Sequence, residues 1–170
     1  MKIFLTGFMG CGKTTVGKKL AHQLGFSFLD LDEYIEGKHG KSISEIIETG
    51  GEETFRALES ACLKEIVAGD NTVIATGGGT PCFNNNMELI NNKGISVYLK
   101  MSVDGLANRL GNAKTIRPLI KGLSEDELKN YILNKLTERE IFYLQAHYKV
   151  KAKNLNVGEL AEFVMLKPVH

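Results

Sequence analysis

An α/β fold, with helices packed on both faces of a parallel β-sheet, is the fold class that the sequence predicts. Short apolar or β-branched runs alternate along the chain with stretches of helical periodicity, which is the pattern of parallel strands joined by helices. In addition, chemically notable clusters directly follow three of the predicted strands, and ligands of such sheets collect at the carboxyl ends of the strands. A chain of 170 residues is long enough for one compact core, so we expect a single domain spanning residues 1–170.

Five segments are predicted to be strands. The segment at 2–6 is a short apolar run, and the one at 72–76 is β-branched and apolar, as expected for a buried strand. The other three lie at 26–29, at 95–99 and, with a weaker pattern, at 148–151. The predicted helices lie at 15–24, after the second strand through residue 69, and at about 103–109, 125–145 and 156–166.

Residues 7–14 between the first strand and the first helix fit the motif G-x-x-x-x-G-K-[ST], which forms a phosphate-binding loop. Glycines allow the backbone N–H groups of such a loop to turn inward, and the helix start adds N–H donors and a positive dipole end. Lys13 can then reach the β- and γ-phosphates, and the Thr14 hydroxyl can coordinate Mg²⁺. A glycine-rich turn with a chance lysine is the alternative, but both flanks of the motif favour the phosphate loop.

Asp30 and Asp32 follow the second predicted strand, where the chain turns into a helix. In a phosphotransferase, one carboxylate can contact a metal-bound water while the other binds a substrate hydroxyl and accepts its proton. Alternatively, either aspartate simply caps the helix that begins near Glu33. Proximity to a phosphate loop favours the functional interpretation, particularly for Asp32.

Three consecutive glycines, Gly77, Gly78 and Gly79, follow the third predicted strand. Such a run costs backbone entropy, so a close approach of substrate or phosphate to the backbone is a natural reason for it. The alternative is a plain flexible turn.

Arg56 and Arg139 are candidate forks for a substrate carboxylate. Arg56 lies off the apolar face of its predicted helix, and Glu59 is placed three residues later to pair with it. A surface ion pair is the alternative for Arg56. The sequence alone does not bring the two arginines together.

The loop at about 111–122 is basic and is flanked by glycines. Together with Arg109 at its start, Lys114 and Arg117 could close it over a triphosphate and expel water. A solvated surface loop is the alternative.

Composition sets limits on partners and location. Hydrophobic residues make up 43% and charged residues 24%, and the net charge of +1 gives no electrostatic argument for binding nucleic acid or a membrane surface. No apolar run approaches the roughly 18 residues that a membrane span needs. Cys11, Cys62 and Cys82 are scattered, which favours a reduced cytoplasmic protein. The N-terminal residues run directly into the phosphate loop, so we expect no removable signal sequence.

Taken in order, these motifs resemble the shikimate kinase family from Gly7 to about Tyr148. The shared pattern comprises Gly10-x-Gly12-Lys13-Thr14, Asp30-x-Asp32, Phe55-Arg56-x-x-Glu59, Gly77-Gly78-Gly79, Arg117-Pro118-Leu119 and Arg139-x-x-x-Tyr143. The resemblance implies a P-loop fold like that of the nucleoside monophosphate kinases, with a five-stranded parallel sheet, a substrate-binding region at about 31–62 and a lid at about 111–122. The implied reaction is transfer of the ATP γ-phosphoryl group to the 3-hydroxyl of shikimate, with Mg²⁺, in aromatic amino-acid biosynthesis.

The resemblance also implies a role for each matching residue. Lys13, Asp32 and Arg117 would be catalytic, with Asp32 as the candidate base, and Glu59 would orient Arg56. The metal would be held by Thr14 and, through water, by Asp30. The implied ATP-binding residues are Gly10, Cys11, Gly12, Lys13, Thr14, Thr15, Arg109 and Arg117. The implied shikimate-binding residues are Asp32, Arg56, Glu59, Gly77, Gly78, Gly79 and Arg139.

The chain departs from the family pattern at three places. The residue between the two aspartates is commonly small and hydroxylated, but here it is Leu31. The glycine run usually continues with small apolar residues, but here Thr80-Pro81-Cys82 follows, and residues 153–156 lack a late arginine near the adenine. A gluconate or nucleotide kinase of the same fold, or an inactive nucleotide-binding module, remains the alternative. We expect a cytoplasmic monomer with only small-molecule partners.

Overall fold

The computed structural model describes residues 1–68, 71–113 and 120–166, and contains one parallel sheet. Its strands are β1 (Lys2–Thr6), β2 (Ser27–Asp30), β3 (Thr72–Ala75), β4 (Ile95–Lys100) and β5 (Tyr148–Lys151). They pair in the order β2-β3-β1-β4-β5, and every pairing is parallel. The predicted α/β class is confirmed, and each predicted strand agrees with the structure to within one residue at either end.

The helices connect the strands, as expected for a parallel sheet. They are α1 (Lys13–Leu24), α2 (Leu31–His39), α3 (Ile43–Ile66), α4 (Asn86–Lys93), α5 (Val103–Gly111), α6 (Glu125–Tyr143) and α7 (Val157–Leu166). A 3₁₀ turn covers Thr80–Cys82. The sequence did not predict α4. The residue before this helix, Asn85, adopts a left-handed backbone conformation with φ 56°. In the part of the chain that the structure describes, none of the helices has the length and apolar character needed to cross a membrane.

The core lies around the three central strands. Ile3, Phe4 and Leu5 of β1 are fully buried, and so are Val73 and Ile74 of β3. Strands that are covered on both faces read as continuous apolar runs, which explains why these strands were predictable. The edge strands β2 and β5 are only partly buried.

Strand order places the predicted clusters side by side. The phosphate loop follows β1, Asp30 ends β2, and the three glycines follow β3. Because β3 lies between β1 and β2, the glycine run lies between the phosphate loop and the aspartates at one edge of the sheet. This arrangement is the one that the strand-end rule predicts.

Candidate active site

The phosphate loop is built on three glycines with positive φ angles. Gly7, Gly10 and Gly12 have φ values of 138°, 82° and 103°, which other residues rarely adopt. Gly12 is also the N-cap of α1, and it has no side chain to occupy the first N–H groups of that helix. Those N–H groups and the positive helix end therefore face the loop as anion donors.

Lys13 folds back into this loop. Its Nζ donates hydrogen bonds to the carbonyl oxygens of Gly7 at 2.8 Å and Phe8 at 3.0 Å. On the other side of the loop, Arg109 Nη1 donates to the carbonyl oxygen of Cys11 at 3.1 Å. The Cys11 side chain is buried, and its Sγ lies 3.9 Å from Lys13 Nζ.

A cavity of about 310 Å³ opens beside these two cations. It is lined by Met9, Gly10, Gly12, Lys13, Thr14, Thr15, Asp30, Asp32, Thr76, Gly78 and Arg109. The lining includes six of the seven predicted ATP-binding residues that the structure describes. Arg117, the remaining predicted phosphate contact, lies outside the described residues together with half of the predicted lid, residues 114–119.

Asp30 has two roles in the structure. Its Oδ1 accepts the N–H of Asp32 at 3.1 Å and so caps α2, while its Oδ2 accepts the Thr14 hydroxyl at 2.7 Å. The capping and functional interpretations of Asp30 are therefore compatible. Leu31 between the two aspartates is fully buried, so an apolar side chain suits that position.

The oxygens of Thr14 and Asp30 are hard donors of the type that Mg²⁺ prefers. Across the described ranges, no group of three or more His, Cys, Asp or Glu side chains forms a metal cage. A magnesium ion bound through one or two protein oxygens plus substrate phosphates fits this arrangement, because Mg²⁺ in nucleotide enzymes is usually held in that way.

A second cleft, of about 450 Å³, adjoins the first. Both are lined by Met9, Asp32 and Gly78, which therefore mark the boundary between them. The other lining residues are Glu36, Ile43, Ser44, Ile47, Glu48, Phe55, Arg56, Glu59, Gly77, Gly79 and Arg139. Met9 was not predicted individually because it occupies a variable position of the phosphate-loop motif. Five further lining residues carry no motif and were not predicted individually either: Glu36, Ile43, Ser44, Ile47 and Glu48.

Arg56 is held rigidly in this cleft. Its Nη1 donates to Glu59 Oε2 at 2.8 Å, and the two side chains are only 12% and 1% exposed, so this is a buried ion pair and not a surface one. Its Cζ lies 4.9 Å from the ring centroid of Phe55 and 4.3 Å from that of Phe83. Among the residues that the structure describes, none accepts a hydrogen bond from the buried Arg56 Nε. Arg56 Nη2 also lies 3.3 Å from Oε1 of the exposed Glu52, and the guanidinium N–H groups that these two carboxylates do not use retain donor capacity for an anion.

Arg139 reaches the same cleft from α6. Its Cζ lies 5.8 Å from the ring centroid of Phe8. A Cβ built on Gly78 would lie 3.2 Å from the backbone N of Met9, so the glycine allows the phosphate loop to approach closely, whereas Arg139 Nη1, at 3.7 Å, would be in ordinary contact. The fold thus brings Arg139 and Arg56 together across α6 and α3, which the sequence alone could not do.

Tyr143 supports the floor of the site, a role that the sequence did not predict. Its hydroxyl donates a hydrogen bond to the carbonyl oxygen of Gly78, and its ring packs 5.1 Å from that of Tyr98. Burial raises the pKa of the Tyr143 hydroxyl well above its ordinary value, which keeps the hydroxyl protonated as a donor. The peptide of Gly78 is therefore fixed from below.

The protein has a parallel sheet with a phosphate loop at the end of β1, and a second cleft with arginine side chains lies beside that loop. These features define it as a P-loop phosphotransferase. The sequence model of the shikimate kinase family matches residues 9–166. The shikimate kinase of Azobacteroides pseudotrichonymphae is 47% identical over 167 residues, which cover 98% of both chains. The chain belongs to the shikimate kinase family.

Solved structures agree with this assignment. The crystal structure of shikimate kinase from Bacteroides thetaiotaomicron has a TM-score of 0.94 at 43% identity, covering 97% of this chain and 98% of that chain. Shikimate kinase from Acinetobacter baumannii, solved in complex with shikimate, has a TM-score of 0.84 at 36% identity, covering 96% of this chain and 90% of that chain.

Proposed function

We propose that the protein transfers the γ-phosphoryl group of ATP to the 3-hydroxyl of shikimate, giving shikimate 3-phosphate and ADP in aromatic amino-acid biosynthesis. The observation that carries the proposal is the contact between two differently built clefts at Met9, Asp32 and Gly78. One cleft has the groups for a triphosphate, and the other has two arginines for an acidic acceptor. Membership of the family supports this pair of substrates.

The ATP side of the reaction uses the phosphate loop and its cations. The N–H groups at the start of α1 bind phosphate oxygens, and Lys13 exchanges its loop carbonyl partners for the β- and γ-phosphates. Arg109 lies over the loop at Cys11, where it can contact the nucleotide. Arg117 keeps its proposed role as a phosphate contact on the basis of its motif alone.

Thr14 and Asp30 would hold Mg²⁺, Thr14 directly and Asp30 through water. The ion would neutralise phosphate charge and fix the orientation of the phosphates. Thr14 and Asp30 are already joined by a hydrogen bond of 2.7 Å, so their oxygens are close together at the edge of the ATP cleft.

The acceptor side binds shikimate by its carboxylate and its hydroxyls. Arg56 and Arg139 clamp the carboxylate, and Glu59 keeps the Arg56 guanidinium oriented. Gly78 provides a backbone N–H at the boundary of the clefts. Asp32, at the same boundary, binds the hydroxyls of shikimate. As the oxygen of the 3-hydroxyl forms a bond to the γ-phosphorus, Asp32 accepts the proton of that hydroxyl, and the bond between the γ-phosphorus and ADP breaks.

A substrate panel tests the function. ADP release is measured with ATP and, in turn, shikimate, quinate, gluconate and nucleoside monophosphates. We expect shikimate to give the highest kcat/KM. A preference for gluconate or a nucleotide would instead identify another kinase of this fold, and ATP consumption that no acceptor stimulates would reject a kinase function.

The carboxylate clamp is tested by Arg56→Ala and Arg139→Ala. Loss of a hydrogen bond between charged groups costs about 1.5–3 kcal/mol, so shikimate binding should weaken about 10- to 150-fold, while binding of an ATP analogue changes little. Lys135→Ala is the control, because Lys135 is on the same helix as Arg139 but forms an exposed ion pair with Glu138. Equal losses for both ligands in the arginine variants would contradict the clamp.

We also propose that the protein acts as a single-domain monomer in the cytoplasm. Both clefts are formed by one chain, and all three cysteines are free thiols, which suits a reducing compartment. Light scattering at working concentration measures the mass, and a dimer would contradict the proposal.

A further inference from the structure

We propose that Thr80 is a positioning residue for the acidic group of the acceptor: its hydroxyl holds Glu59, and Glu59 holds Arg56. The inference rests on the proposed function, in which Arg56 binds the shikimate carboxylate. Thr80 stands where the chain departs from the usual small apolar residues after the glycine run.

The contacts form a continuous chain of hydrogen bonds. Thr80 Oγ1 donates to Glu59 Oε1 at 2.6 Å, and Glu59 Oε2 accepts from Arg56 Nη1 at 2.8 Å. Both Thr80 and Glu59 are 0% exposed. A buried carboxylate is stable only when both of its oxygens have hydrogen-bond partners. Thr80 provides the partner for Oε1, the Glu59 oxygen that Arg56 Nη1 does not bind.

Thr80 is itself fixed in place. Its N–H donates to the carbonyl oxygen of Gly77 at 3.2 Å, and its own carbonyl oxygen accepts from Asn86 Nδ2 at 2.9 Å. Asn86 in turn accepts the hydroxyl of Ser60 at 3.0 Å, and Ser60 directly follows Glu59 in α3. The network therefore ties the turn after β3 to α3 right beside the ion pair.

The Thr80 hydroxyl and the Glu59 carboxylate lie close together against the backbone of Gly77. A Cβ built on Gly77 would lie 2.9 Å from Thr80 Oγ1 and 3.0 Å from Glu59 Oε1, so the hydroxyl and carboxylate are packed against the glycine. Without the hydroxyl, Glu59 Oε1 loses its donor inside the protein, and the carboxylate must turn to find another. That movement displaces Arg56, because Arg56 Nη1 is bound to the second oxygen of the same group.

The test compares Thr80→Val, which keeps the shape but removes the donor, with Thr80→Ser, which restores it. In Thr80→Val we expect the KM and Kd for shikimate to rise about 10-fold, as for the loss of one hydrogen bond to a charged group. Binding of a non-hydrolysable ATP analogue should change less than about twofold, and Thr80→Ser should recover most of the loss. If Thr80→Val does not fold, Thr80→Ala replaces it.

Ser96→Ala is the matched control, because Ser96 is also fully buried and hydrogen-bonded, to Asn91 at 2.5 Å, but lies near the start of β4, away from the site. It should leave both ligand affinities unchanged. If Thr80→Val weakens ATP and shikimate equally, or if its shikimate affinity is unchanged, the inference is wrong.

A double-mutant cycle separates a positioning effect from a general loss of structure. If Thr80 acts through Arg56, Thr80→Val should weaken shikimate binding less than about twofold further in the Arg56→Ala background. Full multiplication of the two effects would overturn the inference. If the wild type does not phosphorylate shikimate, or Arg56→Ala does not affect shikimate binding, the proposed function fails and the inference with it; if both hold, an inert Thr80→Val refutes the inference alone.

Discussion

We expect the Gly79→Ala substitution to weaken acceptor binding by displacing one neighbouring side chain, that of Arg56. Gly79 has φ −91° and ψ −17°, a right-handed conformation that alanine adopts readily. An ideal Cβ at this position would lie 2.5 Å from Arg56 Nη2 and 2.8 Å from both Cζ and Nη1. The added methyl group therefore meets the guanidinium, not the backbone.

Arg56 must move to admit this methyl group. It is bound to Glu59 at 2.8 Å and lies 4.3 Å from the ring centroid of Phe83, so its present position is specific. In the proposed function, a displaced guanidinium would lose charge-assisted hydrogen bonds to the acceptor carboxylate, which are worth about 1.5–3 kcal/mol. We therefore expect the Kd for shikimate to rise roughly 10- to 150-fold. The fold should survive, because Gly to Ala at a compatible φ, ψ costs no backbone strain.

Isothermal titration with shikimate and, separately, with a non-hydrolysable ATP analogue measures the effect, and thermal unfolding confirms that the variant is folded. Gly37→Ala is the control, because a Cβ on Gly37 finds no neighbour within 4 Å. That variant should bind both ligands normally. A folded Gly79→Ala protein with unchanged shikimate affinity would refute the argument that the position of Arg56 controls acceptor binding.

Two further predictions concern titration. Burial raises the pKa of the Cys82 thiol to about 11, against the weaker effect of Arg139 and Arg56, so at pH 8 iodoacetamide should alkylate it about 100-fold more slowly than in the unfolded chain. Mass spectrometry follows the labelling, and equal rates in both states would contradict the prediction. Burial, and secondarily Lys149, lowers the pKa of His147, whose Nδ1 accepts the N–H of Ser96 at 3.2 Å. Neutral His147 therefore stabilises the folded protein fully at pH values above its pKa in the unfolded chain, about 6.5. This stabilisation is lost as the pH falls through the lower pKa that His147 has in the folded protein. In urea unfolding between pH 5 and 7.5, His147→Gln should therefore show a flatter stability profile than the wild type, and identical profiles would contradict this.

The regular elements were predictable where local pattern and burial agree. β1 and β3 are buried on both faces, so they contain the continuous apolar runs Ile3-Phe4-Leu5 and Val73-Ile74-Ala75, from which both strands can be recognised. α4 was missed because its start is unconventional: Asn85 adopts a left-handed conformation and provides no side-chain cap. Burial of Met87 and Ile90 against the core stabilises this helix. Because these contacts form only in the tertiary structure, a local sequence pattern does not reveal them.

The site was predictable to the extent that its parts are local in sequence. The phosphate loop, the aspartates and the glycines each follow a strand, so strand order alone places them together. The contacts that fix their geometry span longer distances along the chain. Thr80 binds Glu59 across 21 positions, and Tyr143 binds Gly78 across 65. No periodic pattern links such residues, so only the folded chain reveals them.

The cations of the two clefts are restrained by chemically different partners. Lys13 is bound to neutral carbonyl oxygens, whereas Arg56 is bound to the buried carboxylate of Glu59. Phosphate oxygens are stronger acceptors than carbonyls for an ammonium, so Lys13 can leave its loop partners when ATP binds. Separating Arg56 from Glu59 would instead leave a buried charge unpaired, at a cost of several kcal/mol. We therefore expect the acceptor cleft to be organised before its ligand arrives, and the phosphate cleft to rearrange around the nucleotide.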